Sequence, residues 1–171
     1  MALFRPLIAI AALAFLPAPA LGQTAGKAFG ACPWQQMEAD GRGRYYYALP
    51  QNARTANDFL NNRDYARANY WFGLLQTWAT GCMQIPSGSP SNDRVIAQFY
   101  YLSVYAGLMQ GVSRYNIGTE EERSGGWDMV ENARKKLWTL SYDSGGGPKQ
   151  QQDAKKNYGY AVKWLESHPR E

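Results

Sequence analysis

Apolar side chains recur at intervals of three and four residues along most of the chain beyond position 50, and this spacing constrains the fold most strongly. The clearest stripe consists of Ala68, Trp71, Phe72, Leu75, Trp78 and Ala79. Such a stripe lies on one face of an α-helix. No alternating pattern long enough for a convincing strand is present. We therefore predict an all-α fold of about five helices packed as antiparallel hairpins, either a helical bundle or a short repeat-like array.

Turn and capping residues set the expected helix boundaries. A first helix is predicted over residues 51–61, and Asp64 is suited to cap the second. Gly81 is expected to end the second helix in a left-handed conformation. Ser91 or Asn92 is expected to cap a third helix that reaches about position 113. Two glycines at 125 and 126 delay the expected start of the fourth helix to about position 127, and the last helix is predicted over 150–167.

The first 22 residues have a pattern of their own. Arg5 supplies a positive charge, residues 7–16 form an uncharged apolar run, and small residues stand at 20 and 22. This order predicts a secretory signal peptide over residues 1–22, cleaved before Gln23. About ten apolar residues are too few to span a bilayer, which needs about twenty. We expect a periplasmic or secreted protein without a stable membrane anchor.

The rest of the chain is predicted to hold one domain. Residues 23–31 are mostly small and suggest a flexible segment, whereas residues 32–171 are expected to form a single helical domain. Cys32 and Cys82 are the two cysteines, and a cysteine pair outside the cytoplasm predicts a disulfide bond. Two separate buried thiols, or lipid attachment at Cys32, are the alternatives.

Residues suited to catalysis or metal binding are few. His168 is the only histidine and lies near the end, so we expect a solvent-exposed side chain and no catalytic triad. Glu120, Glu121 and Glu122 could act as acid and base on a glycan, but three acids more simply favour a helix amino terminus. The sequence predicts no catalytic residue, no metal site and no cofactor. The basic residues behind the net charge of +4 are scattered, which argues against nucleic-acid binding.

Aromatic residues are unusually frequent, with six Trp and twelve Tyr. The stripes predict that four tryptophans pack in the core: Trp71, Trp78, Trp138 and Trp164. No stripe accounts for Trp34, Tyr45, Tyr46 and Tyr47, and Tyr115 is expected in a loop. These five residues are the candidate binding residues, because Tyr and Trp are favoured anchors at interfaces.

The helix pair within residues 52–80 resembles one tetratricopeptide-type repeat. The matching residues are Ala56, Phe59, Asp64, Tyr65, Ala68 and Phe72. In that family, small residues let two helices approach and aromatic residues fill the space between them. Asn52, Thr55 and Thr80 depart from the family pattern. The resemblance implies a partner-binding scaffold and assigns no binding residue.

Taken together, these features predict an exported helical binding or adaptor protein without catalytic activity. Its expected partner is another protein of the cell envelope, or a toxin that it neutralises; a glycan is the other kind of ligand considered. One alternative is a cell-wall or glycan-active enzyme that uses the carboxylates at 120–122. The other is a structural envelope protein that assembles with itself.

Overall fold

The structure is a computed structural model that describes residues 25–32, 51–142 and 145–170. Within these ranges the chain forms a short helical segment at residues 25–29, five longer helices and no strand. The longer helices are α1 (Gln51–Asn61), α2 (Tyr65–Cys82), α3 (Pro90–Tyr115), α4 (Glu120–Tyr142) and α5 (Pro148–Ser167). The predicted all-α fold is confirmed. The predicted leader and the candidate residues Trp34, Tyr45, Tyr46 and Tyr47 lie outside the described residues.

Each long helix packs mainly on its neighbours in sequence, and α3 lies in the middle. The core has two parts. One, which includes Phe72, Leu75 and Phe99, joins α1, α2 and the first half of α3. The other, which includes Leu108 and Leu137, joins the second half of α3 to α4 and α5. The long apolar α3 is therefore covered on both sides, as expected of a helix in the middle of a bundle.

The caps of α2 and α3 only partly follow the sequence prediction. Asp64 caps α2 as expected, because its Oδ1 accepts a hydrogen bond from the Arg67 N–H at 3.2 Å. Ser89, two residues earlier than the first predicted cap, caps α3, and its hydroxyl accepts from the Asn92 N–H. Gly81 is not a left-handed terminator. The α2 helix continues through Gly81 to Cys82, which is fully buried and belongs to the core.

The glycine pair of α4 lies inside the helix, not before it. Thr119 caps α4 by accepting a hydrogen bond from the Glu122 N–H at 3.2 Å, and the helix then runs through residues 125 and 126. A Cβ atom at Gly126 would lie 2.5 Å from the Tyr115 nitrogen and 2.6 Å from the Gly111 oxygen. The prediction of a late helix start is wrong because Gly126 allows close contact between two helices and does not break one.

The described amino-terminal residues pack against α2. Phe29 contacts the Trp78 ring with centroids 5.7 Å apart, and Trp78 Nε1 donates a hydrogen bond to the Gly30 oxygen at 2.9 Å. A disulfide joins Cys32 to Cys82, which confirms that prediction. Residues 25–29 are thus helical and docked where the sequence predicted flexibility. None of the helices in the described ranges is long and apolar enough to cross a bilayer.

Candidate functional site

Two aromatic side chains near the carboxyl end of α4 are largely exposed to solvent. Trp138 is 48% exposed and Tyr142 is 67% exposed. The sequence predicted Trp138 in the core, and that prediction is wrong. Trp138 lies one position beyond the fully buried Leu137, so its side chain points to the edge of the buried stripe, 100° further around the helix. Trp78 and Trp164 are buried, as predicted.

Trp138, Tyr142 and the partly buried Tyr158 of α5 form a contiguous aromatic patch. The Trp138 and Tyr142 ring centroids are 4.7 Å apart with ring planes inclined by 70°. Trp138 and Tyr158 are 5.1 Å apart and inclined by 50°. Such distances are typical of attractive edge-to-face and tilted contacts. The patch therefore consists of three mutually supported rings that do not share a plane.

The helices beneath the aromatic patch are fixed. Leu137 and Leu140 of α4 belong to the same buried cluster as Ala154 of α5. The Gln151 side-chain amide also donates to the Tyr142 carbonyl oxygen at 3.5 Å, a long contact at the patch edge. Because the patch rests on packed helices, its backbone has less conformational freedom to lose on binding than a loop has.

Basic groups border the aromatic patch. Arg134 donates two hydrogen bonds to the Glu131 carboxylate, at 2.7 and 2.8 Å, and Lys135 Nζ lies 3.5 Å from the same carboxylate. The hydrogen bond from Arg134 lowers the pKa of Glu131, so this carboxylate stays charged. Lys155 is exposed and lies one helical turn before Tyr158. We call Arg134, Lys135 and Lys155 the basic rim.

Tyr115, the one candidate binding residue within the described ranges, is the last residue of α3 and does not lie in a loop. Its ring contacts Trp164 edge-on, with centroids 5.0 Å apart. It also lines an open cleft of about 150 Å³. The residues around that cleft are Tyr115, Glu120, Arg123, Ser124, Trp127, Pro169 and Arg170. The cleft carries charges of both signs.

The end of the chain is held against α4 beside this cleft. Trp127 Nε1 donates to the His168 carbonyl oxygen at 2.9 Å. Arg170 forms a 3.1 Å ion pair with Asp128 and lies over the Trp127 ring. His168 is half-buried and stacks on Trp164, with centroids 4.4 Å apart. The expectation of an exposed histidine is wrong, because the ring packs against both Trp164 and Tyr115.

Polar side-chain contacts join α3 to α1 and to α5. Asn157 of α5 donates to the Tyr101 hydroxyl oxygen at 2.7 Å, and the Tyr105 hydroxyl donates to Asn57 of α1 at 3.0 Å. Burial raises the pKa of both Tyr101 and Tyr105. These phenols are hydrogen-bonded and neutral over the ordinary pH range, so they act as structural links between helices.

The three glutamates at 120–122 form the first turn of α4, the position where negative charge stabilises a helix. In the described part of the chain, no three His, Cys, Asp or Glu side chains come together in a group that could hold a metal ion.

The aromatic patch and its basic rim are therefore the strongest candidate site. Sequence periodicity placed Trp138 and Tyr158 on the buried stripes of their helices, and nothing in the sequence marked Tyr142. Comparison with protein-family models, curated proteins and solved structures finds no match to this chain.

Proposed function

We propose that this chain is an exported helical adaptor that binds another protein and catalyses no reaction. The single observation that carries the proposal is the solvent-exposed aromatic patch on α4 and α5. Trp, Tyr and Arg are the residues most often found at the energetic centres of protein interfaces. Here Trp138, Tyr142 and Arg134 lie on one ridge of α4, because they are spaced four residues apart.

The proposed export has separate support. The Cys32–Cys82 disulfide is a bond that persists in oxidising compartments and is rare in the cytoplasm. It agrees with the leader predicted over residues 1–22. An envelope location would make another envelope protein, or a toxin that this chain neutralises, the natural partner. The proposed scaffold role also agrees with the repeat-like pattern within residues 52–80.

The proposal is tested by capture from envelope extracts with the patch intact and with the patch removed. Immobilised wild-type protein is compared with the double variant Trp138→Ala/Tyr142→Ala and with the control Tyr70→Ala. Tyr70 is also an exposed helical aromatic residue, 37% exposed, but it lies on α2, which packs mainly on α1 and α3. Bound proteins are identified and quantified by mass spectrometry.

We expect at least one identified protein to be captured by the wild type and by Tyr70→Ala and lost with the double variant. The double variant should still fold, because neither Trp138 nor Tyr142 belongs to the two buried core clusters; far-UV circular dichroism checks this. Capture that is the same with and without the aromatic patch, or no reproducible capture at all, would count against the proposed function.

A further inference from the structure

We infer that the aromatic patch is a docking surface for an acidic protein segment, one that carries Asp or Glu side chains beside an apolar anchor. The inference rests on the proposed binding function and adds the chemistry of the partner. Three observations carry it: the tilt of the rings, the charge of the rim and the consequence of that charge for a second copy of this chain.

Ring geometry favours a protein segment over a glycan. The planes of Tyr142 and Tyr158 are inclined to that of Trp138 by 70° and 50°. The three rings do not share a plane, so they do not form one flat platform on which successive sugar rings would stack. Faces and edges that point in several directions suit an apolar side chain that packs against more than one ring.

The charge around the patch favours carboxylates on that segment. The basic rim contains three cations, and the nearest described acid on the same ridge, Glu131, is already shared by Arg134 and Lys135. From residue 131 to residue 158, a range that includes Glu131, the sequence has six basic and three acidic residues, a net charge of +3. Complementary charge at an interface rim steers association and selects the partner.

The two exposed lysines contribute differently from the arginine. Lys135 is 64% exposed, whereas Arg134 is 29% exposed and is held by two hydrogen bonds. Exposed lysines give modest, salt-sensitive attraction. We therefore expect the rings to supply most of the affinity, and Lys135 and Lys155 to supply the preference for acidic sequences.

The same charges disfavour a second copy of this chain as the occupant. In a two-fold dimer, a surface patch meets the same patch of the partner copy. Two aromatic patches facing each other would bring two basic rims together, and juxtaposed like charges are costly at an interface. An acidic partner gains from the same arrangement.

Selection from a display library of short random peptides against the full oxidised chain tests this inference directly. We expect the enriched peptides to have more Asp and Glu than the starting library and to contain one large apolar residue. The strongest peptide is then synthesised, and its affinity is measured by fluorescence polarisation. The proteins compared are the wild type, Trp138→Ala, Tyr142→Ala, Lys135→Glu/Lys155→Glu and the control Tyr70→Ala.

We expect Trp138→Ala to weaken binding by about tenfold or more, as loss of a central interface tryptophan typically does. The double charge reversal should weaken binding by about tenfold at low salt and by less at high salt. Tyr142→Ala should also weaken binding. Because two separate substitutions in the patch are tested, the conclusion does not depend on whether one of the variants folds. Tyr70→Ala should bind like the wild type.

Each other result overturns a specific statement. Enriched peptides that need Trp138 but are neutral or basic would refute the acidic partner and leave the proposed protein-binding function standing. Peptides that bind Trp138→Ala with the same affinity as the wild type would refute the claim that the aromatic patch is the docking surface. No enrichment over an unrelated helical protein would also overturn the inference, and the proposed function would then be judged on the envelope capture alone.

Discussion

Adjacent glycines in α4 should respond in opposite directions to the same substitution. A Cβ atom at Gly126 would lie 2.5 Å from the Tyr115 nitrogen and 2.6 Å from the Gly111 oxygen, and both of these are backbone atoms of α3. At Gly125 the nearest atoms belong to the Arg114 guanidinium, at 2.8 Å and beyond, and that flexible side chain can move away. The two positions therefore differ mainly in what a new methyl group would meet on α3: backbone atoms at Gly126 and a flexible side chain at Gly125.

The magnitudes follow from two opposing effects. Replacing glycine by alanine within a helix stabilises it by about 1 kcal/mol. Forcing an extra methyl group into a packed contact costs about 1–3 kcal/mol, and Gly126 lies at the upper end of that range because backbone cannot rotate aside. We expect Gly125→Ala to stabilise the protein by somewhat less than 1 kcal/mol. Gly126→Ala should destabilise it by about 1–2 kcal/mol, so the two variants should differ by about 2 kcal/mol.

Urea denaturation followed by far-UV circular dichroism measures the difference. With a slope near 2 kcal/mol per molar urea, typical of a domain of this size, the midpoints of the two variants should lie about 1 M apart. Gly111→Ala is a check from the other helix, because its Cβ atom would lie 2.8 Å from the Gly126 oxygen. If Gly126→Ala were as stable as Gly125→Ala, the close approach of α3 and α4 would be refuted.

Two further predictions concern stability. Reduction of the Cys32–Cys82 disulfide, which spans 50 positions, should lower the free energy of unfolding by about 4 kcal/mol; urea denaturation with and without reductant measures this, and an unchanged midpoint would contradict it. Burial raises the pKa of Tyr101 above its ordinary value of 10.0. The stability that neutral Tyr101 contributes to the folded state is therefore fully present below pH 10 and is lost as the pH rises further. The melting temperature should therefore fall less steeply between about pH 9 and 11 in Tyr101→Phe than in the wild type, and equal slopes for the two proteins would contradict this.

The sequence predicted the helical class because long stripes of three-and-four spacing have no other simple solution. The bounds of α1 and the Asp64 cap were predictable from local chemistry, and so was the disulfide, from the predicted compartment. The glycines at 125 and 126 were not, because a helix-breaking glycine and a glycine at a helix crossing look alike in one sequence. The difference between them is the position of α3, which is a tertiary fact. Residues 25–29 were missed for a similar reason: their helix is fixed by Trp71 and Trp78 of α2, not by a stripe of its own.

The apolar spacing that predicted the helices also placed the central residue of the candidate site, Trp138, in the core. Trp138 and Trp164 both lie beside an apolar stripe, and nothing local distinguishes them. Trp164 is covered by Tyr115 and His168 and belongs to the core. The rings against Trp138 are Tyr142 and Tyr158, and they leave about half of its surface open to solvent. The side chains that pack against such a tryptophan therefore determine whether it is buried in the core or can contact a partner. Around Trp138 they leave an exposed aromatic patch on α4 and α5 beside the basic rim.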